Sequence, residues 1–579
     1  MQRKLFFFAL SALAGAPLSG QPLFSDVSPA AGLPTRAGGE NISVVDYDND
    51  GWEDIYVGFT TGSHELWRNN GDGTFTEVAA TANLQLGPAT RTKAAVWGDF
   101  DNDGDADLYA GNLDAADQLL QNNGDGTFTD ITAAAGLGQT GHPLSVNLTD
   151  YDRDGWLDIY VTNFLLENIL YRNNGDGTFT DVTEAAGVPD DDKSMGTLFF
   201  DYDLDGDADL YLVHDGFAPN ILYRNNDDGT FTDVSVASGT NTESFGMGVD
   251  AADLNGDGWP DLYITNLYQN YLLYNDGDGT FTEYSTFAGV GDNGMGWGTT
   301  LLDYDDDGHV DIYACNDFGF SSFPNVLYRN DGNGAFLPQE TSVVANTGKS
   351  YGTATLDFDH DGRPDLAVTN RGAQEHWQLF RNEQTSGNRL VFHLTGTDSN
   401  RAAIGAVLTF TDDRGRTHTD EIHAGHGWTS QNSKDLHFGL NDAAGLVAGE
   451  ITWPSGLRQP LPALDANGYY SVVEGTAPAL VRALPTGTTS TGDQSTATTP
   501  SVLLYPNPAS PFAWVSTTTG ELIRHVDILS VSGRTLLTVQ PPQPTPTLRI
   551  DLTAITGTAP LMVITTTERG QRSWQLLVR

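Results

Sequence analysis

Acidic loops of a single pattern recur along the chain, and their side chains are of the type that binds hard metal ions. The pattern D-x-[DN]-x-D-G-x-x-D occurs seven times, 50 to 54 residues apart, and begins at Asp46, Asp99, Asp150, Asp201, Asp253, Asp303 and Asp357. Carboxylates at positions 1, 3 and 5 of a tight loop converge on one point, and the glycine at position 6 permits the bend. Calcium takes about six to eight oxygen ligands with loose geometry, whereas magnesium prefers to keep several waters. The sequence therefore predicts about seven Ca2+ sites, one in each repeat.

The predicted ligands of each calcium ion occupy positions 1, 3, 5, 7 and 9 of the loop. Side chains supply the oxygens at positions 1, 3, 5 and 9, and the backbone carbonyl at position 7 can turn inward after the glycine. Only one of these side chains, Asn255, is not an aspartate, and it still offers an oxygen. In chain order the predicted ligands are Asp46, Asp48, Asp50, Trp52, Asp54, Asp99, Asp101, Asp103, Asp105, Asp107, Asp150, Asp152, Asp154, Trp156, Asp158, Asp201, Asp203, Asp205, Asp207, Asp209, Asp253, Asn255, Asp257, Trp259, Asp261, Asp303, Asp305, Asp307, His309, Asp311, Asp357, Asp359, Asp361, Arg363 and Asp365.

Two other interpretations of the loops are less consistent with the sequence. An EF-hand shares the opening D-x-D-x-D-G but needs a glutamate at position 12. This chain has apolar residues there, namely Val57, Ala110, Val161, Leu212, Ile264, Ala314 and Val368. The second interpretation is that the aspartates only favour hairpin turns. Like charges packed this closely in seven copies would repel one another strongly without a cation, so we expect metal binding.

The residues around each loop predict four short β-strands per repeat. One apolar, β-prone run follows position 9, as at 55–57, and another precedes the loop, as at 93–97. An Asn-Gly-Asp-Gly turn between apolar stretches, as at 170–182, predicts a hairpin. Four strands per repeat are typical of a propeller blade. The seventh repeat stops at Asn382 without its last strand, and residues 24–27 have the missing sequence. We therefore expect an all-β fold, a seven-bladed β-propeller closed by an N-terminal strand.

The loops and the Gly-Asp-Gly-Thr-Phe hairpins resemble the FG-GAP/VCBS repeats of integrin-type propellers. The resemblance covers roughly residues 22–382 and holds in all seven loops. It implies blades that hold calcium between their first two strands. The sixth hairpin departs from the pattern at 330–336, and the seventh departs at 382–387.

Residues 386–475 lack the calcium loop but keep the alternation of a β-domain. Four segments occur there in order, at 398–406, 425–431, 436–440 and 453–456. They resemble the ASPIC/UnbV domain, which often follows FG-GAP/VCBS propellers. The resemblance implies architecture rather than a defined biochemical role.

Five of the twelve histidines fall in this second domain, at His393, His418, His423, His426 and His437. A zinc site is one interpretation of the cluster. The alternative is that they are ordinary strand and loop histidines, because the spacings 418/423 and 423/426 have the wrong parity for one strand face. No cysteine and no H-E-x-x-H motif accompanies them, so we expect structural roles.

The two ends of the chain predict export. Residues 1–20 have the basic start, apolar run and small residues of a signal peptide, and the run is too short for a membrane anchor. With the propeller at 21–385, a Thr/Ser/Gly/Pro linker at 476–500 precedes a final β-domain at 501–579. That domain resembles the C-terminal β-sandwich sorting domain of type IX secretion cargo in Bacteroidota, although 557–561 departs from its pattern. The resemblance implies secretion or display on the outer-membrane surface, with the type IX machinery as a partner.

The composition narrows the remaining classes of partner. The formal charge is −49, from 77 acids and 28 bases, so nucleic acid is excluded as an expected partner. No stretch has the length of a transmembrane helix. The single cysteine, Cys315, cannot form an intramolecular disulfide, and we expect it to be buried as a small apolar residue.

Two functions are compatible with this architecture. The first is an extracellular adhesion or recognition module for a glycan or protein, and the alternative is a calcium-dependent polysaccharide-degrading lyase or hydrolase. Catalysis would need an unrepeated acid, base or nucleophile, and nearly all the acids are assigned to calcium. His214 with Asp215, and His142, break the repeat without partners that the sequence can name. Aromatic residues that could stack on sugars, or serve only as packing, are Trp52, Trp156, Trp259, Trp297, Phe318, Phe320 and Phe323, with Asp317 beside them. We therefore favour binding over catalysis.

Overall fold

The structure is a computed structural model in which the chain divides into two compact units, Met1–Thr489 and Ser490–Arg579. It describes residues 23–33, 36, 38–59, 63–84, 91–113, 115–292, 294–317, 323–339, 342–346, 348–372, 376–486, 502–505, 512–517, 522–530, 535–541, 547–551, 561–567 and 572–577. The predicted signal peptide, Phe318, Phe320 and most of the predicted linker lie outside the described residues. Among the described residues, no helix is both long and apolar enough to cross a membrane.

The repeats form antiparallel sheets whose strands follow one another in sequence. Strands β1 to β28 are, in chain order, Phe24–Asp26, Gly39–Val45, Asp54–Phe59, Glu65–Asn69, Phe75–Glu77, Arg91–Gly98, Asp107–Leu113, Gln118–Asn122, Phe128–Asp130, Pro143–Thr149, Asp158–Asn163, Ile169–Asn173, Phe179–Asp181, Ser194–Phe200, Asp209–His214, Ile221–Asn225, Phe231–Asp233, Gly246–Ala252, Asp261–Asn266, Tyr271–Asn275, Phe281–Glu283, Gly296–Leu302, Asp311–Asn316, Val326–Asn330, Phe336–Pro338, Ser350–Leu356, Asp365–Asn370 and Gln378–Asn382. Within the described residues these strands make seven sheets of the order β2-β3-β4-β5, β6-β7-β8-β9 and so on.

The first strands of the sheets surround a common axis. Each packs beside the first strand of the next sheet, and β26 packs beside β2. The last sheet has the order β26-β27-β28-β1, with Phe24 opposite Asn382. The N-terminal strand thus supplies the strand that the seventh repeat lacks. This is the arrangement of a β-propeller.

One asparagine in every hairpin ties its sheet to the preceding one. The side-chain Nδ2 of Asn122 donates to the carbonyl of Tyr47 at 2.8 Å, and that of Asn69 donates to Phe358 at 2.9 Å, which links the first repeat to the last. The same contact is made by Asn173, Asn225, Asn275, Asn330 and Asn382. The sequence shows these residues only as part of the hairpin pattern.

Short helical turns follow three of the hairpins, where the sequence predicts only a strand continuation. They are α1 (Thr183–Ala186), α2 (Ser235–Ser238) and α3 (Ser285–Ala288). The sole cysteine, Cys315, lies fully buried in β23, so its predicted position is confirmed.

The next domain consists of two sheets that face each other. Strands β29 to β38 are Asn388–Thr395, Val407–Asp412, Thr417–Glu421, Ser430–Gln431, Leu436–Asn441, Gly445–Thr452, Arg458–Leu461, Leu464–Asp465, Gly468–Val473 and Ala479–Ala483. The sheets are β33-β29-β37-β38 and β31-β30-β34-β35, and β36 pairs with β34. Phe410 and Phe438 bridge them with ring centroids 4.9 Å apart. Strand β38 lies in the segment that the sequence assigns to the linker. The linker prediction is wrong there, since the apolar residues Leu480 and Val481 belong to a strand that extends the sheet.

The second unit is also built of strands. Strands β39 to β45 are Val502–Tyr505, Phe512–Thr517, Ile523–Ser530, Thr535–Val539, Thr547–Asp551, Leu561–Thr567 and Arg572–Leu577. They form the sheets β39-β40-β43 and β42-β41-β44-β45. Ile523, Val526 and Ile528 are fully buried, so β41 supplies part of this unit's core.

A segment of the second domain, which we call the axial loop (residues 422–433), enters the axis of the propeller. Its strand β32 pairs in parallel with β2. Gln431 accepts the backbone N–H of Trp97 at 2.7 Å and donates to its carbonyl at 2.9 Å. The loop also forms hydrogen bonds with the first strands of the other five sheets, at Asn147, Phe199, Val249, Thr300 and Thr353. The axial loop therefore contacts every repeat.

Small residues make room for this loop. A Cβ atom on Gly248 would lie 2.7 Å from the backbone of Gly427 and 2.7 Å from the carbonyl of Trp297. Gly427 in turn donates its N–H to the carbonyl of Val249 at 2.7 Å. Backbones this close leave no space for a side chain.

Candidate metal centres and ligand face

Each acidic loop is folded around the carboxylate at its first position. Asp46 accepts the backbone N–H of Asp50 at 3.1 Å and that of Gly51 at 2.9 Å. Position 6 is left-handed in every loop, with φ between 81° and 100°, which only glycine adopts without strain. The equivalent carboxylates of Asp99, Asp150, Asp201, Asp253, Asp303 and Asp357 accept the same two N–H groups. The seven loops thus share one backbone frame.

The carboxylate at position 9 accepts two further backbone hydrogen bonds in each loop. Asp54 is fully buried, and its two oxygens accept the N–H of Asn69 at 2.7 Å and that of Tyr47 at 3.2 Å. The same pair of bonds recurs in the other loops, as for Asp107 with Asn122 and Phe100. Position 9 therefore links the loop to the hairpin of its own sheet.

The predicted ligand oxygens converge. The oxygens of positions 1, 3 and 9 lie within 4.8 Å of one another in the second, third, fourth and sixth loops, and those of positions 1, 3 and 5 do so in the first loop. The sets are Asp46, Asp48 and Asp50; Asp99, Asp101 and Asp107; Asp150, Asp152 and Asp158; Asp201, Asp203 and Asp209; and Asp303, Asp305 and Asp311. Position 5 instead accepts the N–H of position 7, as between Asp154 and Trp156 at 3.0 Å.

Unpartnered oxygens test whether these loops fit a cation. In five loops the Oδ1 atom of position 3 is buried and has no hydrogen-bond partner, namely in Asp48, Asp152, Asp203, Asp305 and Asp359. Two of these residues have their other oxygen beside a base, since Arg329 contacts Asp305 at 2.5 Å and Arg381 contacts Asp359 at 3.0 Å. Even there Oδ1 stays unpartnered. A buried acceptor without a donor costs free energy, and an oxygen-seeking cation would remove that cost.

The raised pKa values of the loop carboxylates also indicate that these loops fit a cation. Burial raises the pKa of Asp46 to about 6, with Asp50 and Asp48 adding repulsion against the opposing hydrogen bonds. Burial likewise raises the pKa of Asp54 to about 9 and that of Asp107 to about 8. Carboxylates so disfavoured as anions need compensating positive charge. The donor set, all carboxylate or carbonyl oxygen, fits calcium.

The tryptophans and the histidine at position 7 pack on the hairpin of their own sheet. A Cβ atom on Gly71 would lie 2.9 Å from the ring of Trp52, and one on Gly175 would lie 2.8 Å from that of Trp156. Trp259 and His309 cover the corresponding glycines of their repeats. The close approach explains why a glycine opens each Gly-Asp-Gly turn.

The second domain covers the loops. Arg389 and Asp306 form an ion pair at 2.8 Å with both side chains fully buried. Arg482 contacts Asp357 at 3.3 Å, and Glu421 accepts the N–H of Asp201 at 3.1 Å. These contacts involve the fourth, sixth and seventh loops. The second domain therefore covers part of the face that carries the acidic loops.

The opposite face carries an aromatic cluster at the mouth of the axis. Trp297 lies 4.5 Å from Tyr351 and 5.1 Å from Trp428, measured between ring centroids. Trp428 belongs to the axial loop, whereas the other two belong to β22 and β26. Asp317 accepts the hydroxyl of Tyr351 at 2.8 Å, and the guanidinium of Arg371 lies 5.2 Å from the Tyr351 ring. Sequence reasoning found Trp297 and Asp317 but missed the other three, because their proximity depends on the axial loop.

Exposed apolar side chains border this face. Leu165, Phe217 and Tyr268 follow the second strands of three consecutive sheets and are 57%, 63% and 63% exposed. Each has a left-handed backbone, with φ of 58°, 66° and 80°. Bulky residues rarely adopt this conformation, and such strain is concentrated at functional sites. Three exposed apolar side chains therefore share the same strained backbone conformation after the second strands of consecutive sheets.

His214 has a partner that the sequence does not reveal. Its Nε2 lies 3.1 Å from Asp190, which also accepts a hydrogen bond from Ser194. Nδ1 of His214 lies 2.6 Å from the carbonyl of Pro219. A serine hydrolase places histidine between serine and aspartate, whereas here the aspartate is in the middle. The cluster is therefore a structural network.

Comparison with known proteins identifies two families. The FG-GAP-like repeat profile matches residues 46–110, 99–161, 166–212, 201–264, 253–314 and 315–368, together more than half of the chain. The ASPIC and UnbV profile matches residues 396–479. The predicted resemblances to FG-GAP repeats and to the ASPIC/UnbV domain are therefore confirmed.

Individual relatives are more distant. Cartilage acidic protein 1 of Homo sapiens is 28% identical over 200 residues, which are 33% of this chain and 30% of that protein. The Xenopus tropicalis protein of the same name is 25% identical over 267 residues, 42% of this chain and 41% of that protein. The chain thus matches well under two thirds of the length of these relatives.

Solved structures share only a weak overall likeness. An Agrocybe aegerita lectin that recognises non-reducing terminal N-acetylglucosamine has 21% identity and a TM-score of 0.37, over 59% of this chain and 88% of that one. The V. cholerae biofilm matrix protein Bap1 has 12% identity and a TM-score of 0.31, over 96% of this chain and 91% of that one. The repeats, their sheets and the profile matches together show that the chain belongs to the FG-GAP-like repeat family and carries an ASPIC/UnbV domain.

Proposed function

We propose that the chain is an extracellular calcium-binding recognition module, in which a closed seven-bladed propeller binds a glycan on the face opposite the calcium loops. The observation that carries this proposal is the aromatic cluster at the mouth of the axis, in which the partly exposed ring of Trp297 rests on the buried rings of Tyr351 and Trp428. Ligand sites are concave and mostly apolar, with a few placed polar groups. Asp317 and Arg371 supply such groups beside the rings.

Because the second domain covers acidic loops, the opposite face of the propeller is the better candidate for ligand binding. The ASPIC/UnbV domain packs against the calcium-loop face through buried contacts such as Arg389 with Asp306. The opposite face has its exposed apolar border, and loops on a rigid scaffold are the usual carriers of binding residues. A net charge of −49 disfavours polyanionic ligands, so the expected glycan is uncharged.

Calcium serves the scaffold in this proposal. The carboxylates at positions 1, 3, 5 and 9 and the carbonyl at position 7 would hold one Ca2+ in each repeat, and the ion supplies the positive charge that the acidic loops need. The loops join the first and second strands of each sheet, so bound calcium stiffens the ring from which the opposite face is built.

A glycan array of neutral oligosaccharides, probed with the full chain in calcium, tests the binding face. We expect Trp297→Ala to weaken binding by about tenfold or more, as for a central aromatic contact, and Phe217→Ala at the border to weaken it less. Leu337→Ala is the control, because Leu337 is 50% exposed on β25, the outermost strand of its sheet. Equal loss in all three variants, or no binding of the wild-type chain to any neutral oligosaccharide, would contradict the assignment.

Export completes the proposal. Residues 1–20 would act as the signal peptide, residues 21–385 as the propeller and 386–475, extended by β38, as the ASPIC/UnbV domain. After a linker that ends at residue 500, residues 501–579 would act as the type IX sorting domain that delivers the protein to the outer-membrane surface. Truncation after residue 500 should abolish surface delivery in the native host, and normal display of the truncated chain would show that the sorting role is wrong.

A further inference from the structure

A polar cavity lies between the propeller and the ASPIC/UnbV domain, close to the axis. Its volume is about 100 Å³. The propeller contributes Asp250 at the end of β18, and the second domain contributes Asp420, His423 and His426. None of these four residues belongs to an acidic loop, and Asp303 of the sixth loop lines another part of the cavity. The space is large enough for an ion with one or two waters.

Two histidines of the axial loop line this cavity. The ring of His423 bonds through Nδ1 to the carbonyl of Phe199 at 3.1 Å. A carbonyl only accepts, so Nδ1 carries the proton and Nε2 keeps its lone pair. Metal-bound histidines are typically held in this way, by a bond from the other ring nitrogen to a backbone carbonyl.

His426 provides the second and independent indication. It is only 2% exposed, and its Nε2 has no hydrogen-bond partner. The ring hydrogen-bonds to the backbone of Thr353, which lies in β26. A buried ring nitrogen without a partner is costly, and in a cavity with a second imidazole a metal ion would satisfy it.

The carboxylates in the cavity are held by backbone N–H groups. Asp250 accepts from Ala251 at 3.0 Å and from Leu301 at 3.1 Å, and Asp420 accepts from Glu421 at 2.9 Å. The two carboxylates are close enough for the charge of Asp420, after burial, to raise the pKa of Asp250. Lys434 also lines the cavity, but the acids that act on its charge are Asp99, Asp46, Asp435 and Glu53.

We propose that this cavity is a binding site for a divalent transition metal of the zinc type, with Nε2 of His423 and His426 as ligands and Asp250 and Asp420 completing the set. Imidazole and carboxylate together suit zinc, whereas calcium takes oxygen ligands only. The site is therefore chemically distinct from the seven acidic loops. It would join the axial loop to the fifth repeat and fix the ASPIC/UnbV domain in place.

The test uses the full chain with its acidic loops saturated by calcium. Zinc is titrated by calorimetry, and cobalt is titrated as a spectroscopic probe, since its visible absorption reports coordination by nitrogen and oxygen. We expect one tightly bound zinc per chain. The double variant His423→Asn/His426→Asn should lower its affinity by at least about 100-fold, because changes in outer-shell partners alone cost about 10–100-fold. His142→Asn, at an exposed position, is the matched control and should bind zinc as the wild type does.

X-ray absorption at the zinc edge of the wild-type chain keeps the proposal testable if the double variant fails to fold. Two imidazole ligands at about 2.0 Å are expected. A wild-type chain that takes up no zinc in saturating calcium, a double variant with unchanged affinity, or a spectrum with oxygen ligands only would each overturn the proposal.

Discussion

Replacing Phe24 tests whether the N-terminal strand is an integral part of the ring. Phe24 lies in β1 and is 1% exposed, in a cluster with Tyr304 and Phe380. Its ring centroid is 6.0 Å from that of Tyr304. The strand is fixed further by the N–H of Val27, which donates to Leu379 at 3.0 Å. Phe24→Ala removes the ring and leaves these backbone contacts in place.

The expected cost follows from the buried area. A phenylalanine side chain buries roughly 150–250 Å², which at about 25 cal/mol per Å² gives roughly 4–6 kcal/mol as an upper bound. Alanine retains part of this, and measured Phe→Ala changes in cores cost about 3–5 kcal/mol. Phe128, 4% exposed, occupies the same position in the second repeat, so Phe128→Ala should cost a similar amount.

Urea denaturation in saturating calcium measures both variants, and limited proteolysis reports local release of the N-terminus. We expect Phe24→Ala to lower the free energy of unfolding by about 3–5 kcal/mol and to make the N-terminal segment more sensitive to protease. If Phe128→Ala shows its full cost while Phe24→Ala matches the wild type in both assays, the closure of the ring by β1 is refuted.

Three further predictions concern the loops, the axis and the buried histidine. Chelation of calcium should lower the melting temperature, since each ion present at about 100 times its dissociation constant adds about 2.7 kcal/mol to the free energy of unfolding. By mass spectrometry, Asp203→Asn should lose one calcium equivalent, and the control Asp228→Asn in the hairpin should lose none. Equal melting temperatures in chelator and in calcium would contradict metal binding. Gly248→Ala should destabilise the first unit by about 1–3 kcal/mol, because the new Cβ would lie 2.7 Å from the backbone of Gly427. A free energy of unfolding equal to that of the wild type would show that the axial loop does not occupy the axis. Asp190→Asn should lower the melting temperature more at pH 5.5 than at pH 9. Burial lowers the pKa of His214, but the bond and charge of Asp190 outweigh it and raise the pKa overall, so this stabilisation is present below about 6.5 and is lost as the pH rises through the raised value. The pKa of Asp190 is lowered, since its bonds and the charge of His214 outweigh burial, and its own contribution is lost only in acid below that window. A pH-independent difference would rule out the ion pair.

The repeated features were accessible from sequence because each has a local cause. The loop pattern fixes the bend at Gly51 and the cage of Asp46 and Asp48, and alternation fixes the strands on either side. The inter-sheet hydrogen bond of Asn69 could not be predicted, because asparagine is common in hairpin turns for local reasons. The partner of His214 was missed because Asp190 comes from the preceding repeat.

The central features were not accessible from sequence, because they depend on contacts between distant segments. Residues 425–431 signal a domain family, but nothing local indicates that Trp428 reaches the far face of the propeller. The parity argument against a shared site for His423 and His426 assumes a strand, and the structure places both in a loop. The sequence left the tryptophans at position 7 as sugar-stacking or packing residues, and the close approach of Trp52 to Gly71 and of Trp156 to Gly175 favours packing.

The axial loop has a consequence for the order of events during folding. Gln431 bonds to Trp97 across 334 residues, and Asn69 bonds to Phe358 across 289. Contacts between such distant segments slow folding, because the chain must close large loops before they form. All seven repeats leave the ribosome before residue 422, so a ring that closes early would enclose an unfilled axis with its strand backbones exposed. The last step of folding is then the insertion of a segment from another domain, and until it occurs the protein is vulnerable to aggregation.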